Sequence, residues 1–408
     1  MGSRINLIES PRGRRILFAI LYFGEGAPIG FVWWALPTLL RQRGVGLEEI
    51  GSLTALLVLP WALKFLWAPL IDMSRTPRFT LRGWIATSQL AMILSLLALA
   101  ASGTTLPLAT LRGILLFHAF AAATQDVAVD ALAIRSTSVN ERGSINAWMQ
   151  AGMLTGRAMF GGGALIIADA AGERFALCLL AASVTASMLV ALAYRDVTAA
   201  ARSEDSAVRF RARLGRALTR RSTWLALAFA ATGAAGFEAA GVLLGPMLSD
   251  HGISTATIGT FLSAPAAGAM VAGGLLGGRL CRAFGTTAPL VMFGVVVTAL
   301  VACLSPIVDS ASGAAVWTTL SVLYFAVGAF TVSSYAFFMD RTDPELGSTQ
   351  FSAYMGATNL CEAWAGHLSG GIAATRGYGY ALACMAAVSL AALPMLSFDR
   401  IRTTEERS

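Results

Sequence analysis

Apolar runs long enough to cross a bilayer as helices, about 20 residues each, follow one another along almost the whole chain, separated by short polar segments. Twelve are predicted. The first six cover 16–39, 50–71, 82–102, 106–133, 144–169 and 174–194. The second six cover 223–248, 256–280, 286–306, 314–338, 349–372 and 377–398. Between the sets lies RDVTAAARSEDSAVRFRARLGRALTRRS, residues 195–222, the one basic and weakly apolar stretch of that length. The expected fold class is therefore an all-α polytopic membrane protein. Two six-helix bundles, 1–194 and 223–408, flank a cytoplasmic linker. The linker reads as a solvated segment whose arginines enforce topology and touch anionic headgroups, with a regulatory or partner site as the alternative. No loop is long enough for a soluble domain. The first run follows Arg12, Arg14 and Arg15 as in a signal peptide. It is too long and lacks a small-residue cleavage site, so it reads as the first span.

Composition sharpens this reading. Of 408 residues, 56% are hydrophobic and 13% charged, against about 25% charged in soluble domains. The net charge of +7 is not a nucleic-acid signal, because the basic residues sit between apolar runs, where they set topology. With both termini inside, the cytoplasmic face holds Arg4, Arg12, Arg14, Arg15, Arg75, Arg78, Arg82, Arg135, Arg142, the cluster from Arg195 to Arg221, Arg279, Arg282, Arg341, Arg400, Arg402 and Arg407. Only Arg41, Arg43, Arg112, Arg174 and Arg376 fall outside. The expected location is the bacterial inner membrane. The five cysteines have no metal or disulfide spacing and read as buried small hydrophobes.

The two halves echo one another. Gly44 and Gly51 in GVGLEEIG match Gly252 and Gly259 in GISTATIG, and ERGSINAW (141–148) returns as ELGSTQFS (345–352). Weak duplication of this kind suits a transporter built from two parallel six-helix repeats.

Three stretches then point to a family: LPTLLRQRGVGLEEIG (36–51) leading into LPWALKFLWAPLID (59–72), ATQDVAVDALA (123–133), and ERGSINAWMQAGMLTGRAMFGGGAL (141–165). They resemble the major facilitator superfamily. More narrowly, they are similar to the branch holding AmpG-type muropeptide permeases, acetyl-CoA transporters and RhtX/FptX-type siderophore permeases. The loop after the second span departs from the common superfamily pattern and keeps Ala68, Asp72, Arg75 and Arg78, and Asp72 with Arg75 resembles its cytoplasmic conformational latch. The fifth span lacks the Gly-Pro pair typical of superfamily antiporters, which favours uptake. The resemblance implies a central cavity among the first, fourth, seventh and tenth spans. It also implies a proton-coupled importer of a small polar solute, working as a monomer with no cofactor beyond the proton gradient. A compact twelve-span chain looks closer to the siderophore permeases, so a ferric siderophore is the expected substrate. An anhydromuropeptide is the alternative.

Ionisable residues within spans are costly, by about 2.5–3.5 kcal/mol each, so each needs a partner or a task. Asp126 and Asp130 are four apart and share a helix face. Glu25, within GEGAP, and Glu238 lie on the other implied cavity spans. Glycine and proline around Glu25 are expected to weaken the helix and free backbone groups. Burial disfavours a charged carboxylate and a nearby cation favours it, so an acid alternating between those settings takes up and releases a proton. Glu25 and Asp126 are the candidates, and a permanent ion pair is the alternative for each acid. Asp130, beside Arg135, is assigned a structural pairing. Lys64 either pairs with Asp126 at a similar depth or reaches toward the cytoplasmic headgroups. Arg157, near the midplane of span five, either pairs with Glu25 or meets an anionic substrate by a bidentate fork. Glu362 has nearly the repeat-equivalent depth. Gln125, Asn146, Gln150 and Asn359 serve either helix–helix hydrogen bonds or substrate contact. Trp33 and Trp34 belong to an aromatic belt or stack on substrate. His118, His251 and His367 lack metal-ligand spacing and read as structural. The sequence shows no nucleophile with a matching base, no metal-ligand cluster and no nucleotide-binding loop. An intramembrane enzyme and a non-transporting sensor are the competing classes, and no nucleotide or nucleic-acid partner is expected.

Overall fold

The computed structural model describes residues 6–67, 71, 80–102, 106–137, 139–194, 215–307, 314–342 and 347–396. Among them there are helices and no strand. The first half contains α1 (Pro11–Gly30), α2 (Leu36–Gln42), α3 (Leu47–Leu63), α4 (Leu81–Ser102), α5 (Leu108–Ser136), α6 (Val139–Phe160), α7 (Gly162–Ala171) and α8 (Glu173–Ala193). The second contains α9 (Arg221–Ala230), α10 (Ala235–Asp250), α11 (Thr255–Phe261), α12 (Ala267–Phe284), α13 (Thr287–Ile307), α14 (Ala314–Asp340), α15 (Gly347–Arg376) and α16 (Tyr378–Ala392).

Ten stretches among the described residues are long and apolar enough to cross a membrane. The other two predicted runs are helical without meeting that measure. α3 has 17 residues, and α15 is interrupted by Gln350, Asn359, Glu362 and His367. The helices carry apolar side chains outward, including Leu94, Phe117, Phe175, Leu189, Leu275 and Val295. Such faces are stable against lipid and not against water. The cysteines correct one expectation. Cys361 is buried, but Cys178 and Cys303 are exposed, and all five are free thiols. A thiol is apolar enough to sit on a lipid-facing surface as readily as inside.

Two compact units are present. One comprises Met1–Leu40, Leu66–Ala199 and Ser254–Ala264, the other Arg41–Phe65, Ala200–Ile253 and Pro265–Ser408. Proximity thus groups α3 with later helices and α11 with earlier ones. The division by repeat, 1–194 and 223–408, stands beside this grouping as an expectation. Residues 195–214 of the linker lie outside the described residues.

The duplicated glycines do the same work in both halves of the sequence. Gly44 and Gly252 take φ of +80° and +76°, a left-handed turn that glycine adopts without strain. Gly51 lies against α15, where a methyl group would come within 2.6 Å of the Gly366 carbonyl oxygen. Gly259 lies as tightly against Gly162 of α7, and Gly162 and Gly366 themselves occupy repeat-equivalent positions. In the first unit α1 and α6 run side by side on Gly26, Gly30, Gly152 and Gly156, where any added side chain would strike the facing backbone. Small residues that admit backbone-to-backbone approach are how helices associate in lipid. Helix ends are closed by neighbours: Arg174 donates to the Ala100 and Ala101 carbonyls at the end of α4, and Arg82 to Tyr194 after α8.

Gly51→Ala should therefore overpack the α3–α15 crossing and lower stability by about 1–3 kcal/mol. Gly371→Ala, with open space around it on the same α15, should be neutral or stabilising. Thermal unfolding of the two purified variants in detergent checks this, and equal melting temperatures would refute the crossing.

Candidate functional site

The acids predicted on spans one and four converge in the first unit. Tyr22 of α1 donates its phenolic hydrogen to Asp130 Oδ1 of α5, and Asp126 and Glu25 also lie within electrostatic range of that phenol. Glu25 and Asp126 are buried, at 2% and 6% exposure, and Gln125 is wholly so. The spacing explains the convergence. Tyr22 and Glu25 are three apart on α1, and Asp126 and Asp130 four apart on α5, so each pair shares a face. Gln125 donates from Nε2 to the Leu21 carbonyl at 3.2 Å. On the next helices Gln89 Nε2 donates to Ser187 Oγ at 2.8 Å, and Ser187 donates to the Ile20 carbonyl. A polar seam thus runs along α1 in an otherwise apolar core of Leu17, Phe18, Leu21, Ala128, Val129 and Leu132.

α1 continues as regular helix through GEGAP to Gly30, and the irregularity comes one turn later, as a π-helical turn at Phe31–Ala35. Pro28 has no N–H to give to the turn below it, and the helix widens after it rather than breaking at Glu25. Gly24 and Gly26 instead give room for Ser187 and Met153. Thr38 donates to the Trp34 carbonyl at 3.2 Å, closing the widened turn.

Span seven is interrupted by a hydrogen-bonded turn. Residues 231–234 separate α9 from α10, and the turn is capped from inside the second unit. Trp364 Nε1 donates to the Ala231 carbonyl at 2.8 Å, and Gly236 N donates to Ser389 Oγ at 2.9 Å. Glu238 occupies the first turn of α10, where the helix dipole favours an anion. Glu238 and Glu362 both lie within electrostatic range of buried Cys361, so the second unit too brings its two predicted acids to one place.

At the end predicted to face the periplasm, Arg41 grips Asp250 bidentately. Nε meets Oδ1 and Nη2 meets Oδ2, both at 2.8 Å. Tyr378 donates to Asp250 Oδ2 at 2.7 Å, and Arg41 Nη1 donates to the Val45 carbonyl at 3.2 Å. This clasp joins the ends of α2 and α10 to the start of α16. Asp250 and Tyr378 were not singled out in the sequence. The repeat-equivalent turns at Gly44 and Gly252, which follow the two partners directly, were the available signal.

Arg157 makes no ion pair with Glu25 or any other acid among the described residues, and its Nε is buried without an acceptor. Lys64 begins a short 3₁₀ turn after α3. Gln150 is exposed. Asn146 is described in its backbone alone, and the latch residues Asp72 and Arg75 lie outside the described residues. The histidines have hydrogen-bond partners: His118 is buried and bonded to Ser95 at 2.8 Å, His367 meets Ser52 at 3.1 Å, and His251 meets the Met247 carbonyl at 2.8 Å. No cluster of metal-ligating side chains occurs among the described residues.

Apolar surfaces outside and polar side chains gathered between long helices define an integral membrane fold. The Major Facilitator Superfamily model matches residues 18–366, and the chain belongs to that superfamily. A Haemophilus influenzae protein of uncharacterised function is 26% identical over 383 residues, covering 90% of this chain and 89% of its own length. The anhydromuropeptide permease of Escherichia coli K12 is 32% identical over 169 residues, 40% of this chain and 33% of that permease. Among solved structures, a bacterial homologue of the human lysosomal transporter Spinster, inward-facing and unoccupied, superposes with a TM-score of 0.71. That match covers 97% of both chains at 13% identity and bears on the fold alone.

In a double-mutant cycle, Arg41→Ala and Asp250→Ala should show a coupling energy near 1 kcal/mol, the upper end for a partly exposed pair. The value should shrink in high salt. Thermal or denaturant unfolding measures it, and a zero coupling in low salt would show that the pair adds no stability.

Proposed function

We propose that this transporter is a proton-coupled importer of anhydromuropeptides in the bacterial inner membrane, with both termini in the cytoplasm. The observation that carries the substrate is the local match to the E. coli anhydromuropeptide permease. It reverses the order expected from chain length, which favoured a ferric siderophore. The polar seam supports the chemistry. A sugar-peptide offers hydroxyls, amides and carboxylates, and the first unit supplies carboxylates at Glu25, Asp126 and Asp130 with amides at Gln125 and Gln89. Trp33 and Trp34, half-buried in the widened turn of span one, are available to stack on a sugar face.

Asp126 is the proposed coupling acid. Asp130 already receives the Tyr22 hydroxyl, so of the two it is the fixed member. Asp126 then exchanges the proton as the site alternates between solvated and buried settings. The twelve-span count, the latch at Asp72 and Arg75 and action as a monomer belong to this reading as well.

Uptake in a strain lacking the gene, with and without complementation, tests it. Labelled anhydromuropeptide and a radiolabelled ferric siderophore are offered side by side, each with and without a protonophore. Protonophore-sensitive accumulation of the muropeptide alone is expected, and accumulation of iron alone would restore the siderophore assignment. Asp126→Asn should abolish concentrative uptake and spare exchange across the membrane. If that variant still concentrates substrate, Asp126 is not the coupling site.

A further inference from the structure

We infer that Arg157 is a specificity residue that binds a carboxylate of the substrate, so that the transporter selects anionic over neutral solutes. This rests on the permease reading above and adds the group by which the substrate is recognised.

Arg157 is the tenth residue of the 24-residue apolar stretch Trp148–Ala171. It lies more than two helical turns from the nearer end, too deep for its head group to reach the lipid surface. A guanidinium at that depth is expensive, and such residues pair with an acid, a backbone carbonyl or a transported solute. Among the described residues Arg157 has no ion pair and no side-chain hydrogen bond, and its Nε is fully buried. The rest of the side chain is partly accessible.

The backbone beneath it is held firmly. α1 approaches at Gly30, where a methyl group would lie 2.6 Å from Arg157 Cα. The Arg157 carbonyl accepts from Gly161 N at 2.7 Å, where α6 gives way to α7. Trp34 packs at the same spot, its ring edge against Gly161. A partly accessible guanidinium on a firmly held backbone, with no acid partner among the described residues, is a fork for a planar oxyanion carried on an apolar or sugar body. The fork geometry selects carboxylate, and it is lost on replacement by lysine, a point charge. The free peptide carboxylates of an anhydromuropeptide meet that description. A lipid phosphate is kept at the membrane surface and does not reach the site.

The test uses the full-length protein in nanodiscs and two probes: an anhydromuropeptide, and the same molecule with its carboxylates converted to methyl amides. The wild type should bind the acid more tightly by roughly ten- to a hundred-fold, the range of a hydrogen bond to a charged group. Arg157→Gln should bring the acid down to the affinity of the amide and leave the amide unchanged, which also shows the variant to be folded. Arg157→Lys should recover only part of the difference. Equal wild-type binding of the two probes overturns the assignment and leaves the muropeptide reading standing. So does an Arg157→Gln variant that still discriminates, or one that loses both probes equally. Wild-type binding of neither probe overturns both.

Discussion

Hydrocarbon offers no hydrogen-bond partners, and that constraint explains both the regularity of this protein and its exceptions. Every N–H and C=O within the membrane must be satisfied by the chain itself, so long helices are the default. A departure from helix is tolerated where the protein caps the freed groups from inside. The interrupted span seven meets this condition through the Trp364 indole and the Ser389 hydroxyl. The widened turn of span one meets it through Thr38, and the α6–α7 junction through the bond from Gly161 to the Arg157 carbonyl. Each irregularity therefore sits next to polar side chains. The acids at Glu25 and Glu238 lie one or two turns from such a place, because the groups that repair a helix and those that hold a polar solute need the same dry, protein-lined surroundings.

The same constraint divides the ionisable residues by the kind of partner each finds. Asp130 has a phenol, Asp250 a guanidinium and a phenol, and His118 a serine hydroxyl. These are settled arrangements. Arg41 and Asp250 remain about a quarter to a third exposed, so solvent screens their pairing. Arg157 differs in kind, since its charge is countered by no acid among the described residues.

Much of the architecture was legible in the sequence because membrane physics writes it in large type. Hydropathy located the helices to within a few residues, and the duplicated Gly-x₆-Gly spacing located the internal repeat. The convergence of Glu25, Asp126 and Asp130 was half legible. The spacing of Asp126 and Asp130 put them on one face, but Tyr22, which ties Asp130 to α1, is an ordinary aromatic in an apolar run and carries no signal alone. Trp364, Ser389 and Asp250 were missed for a related reason. Each acts on a partner more than 100 residues away, and helical periodicity reports which face a residue occupies, never which helix that face will meet. At GEGAP the helix stays regular although Pro28 offers no N–H to the Gly24 carbonyl, and Gly24 and Gly26 there let Ser187 and Met153 pack close.

The glycine crossings, Gly51 on Gly366 and Gly259 on Gly162, bear on how such a fold diverges. Where main chain meets main chain, the spacing between helices is fixed by atoms common to all amino acids. Lipid-facing positions can then drift freely among apolar residues, and buried polar positions can change, without moving the frame. A chain built this way can retain its architecture at 13% identity while its cargo changes. The price of that freedom is a handful of positions at which even a single methyl group is too much.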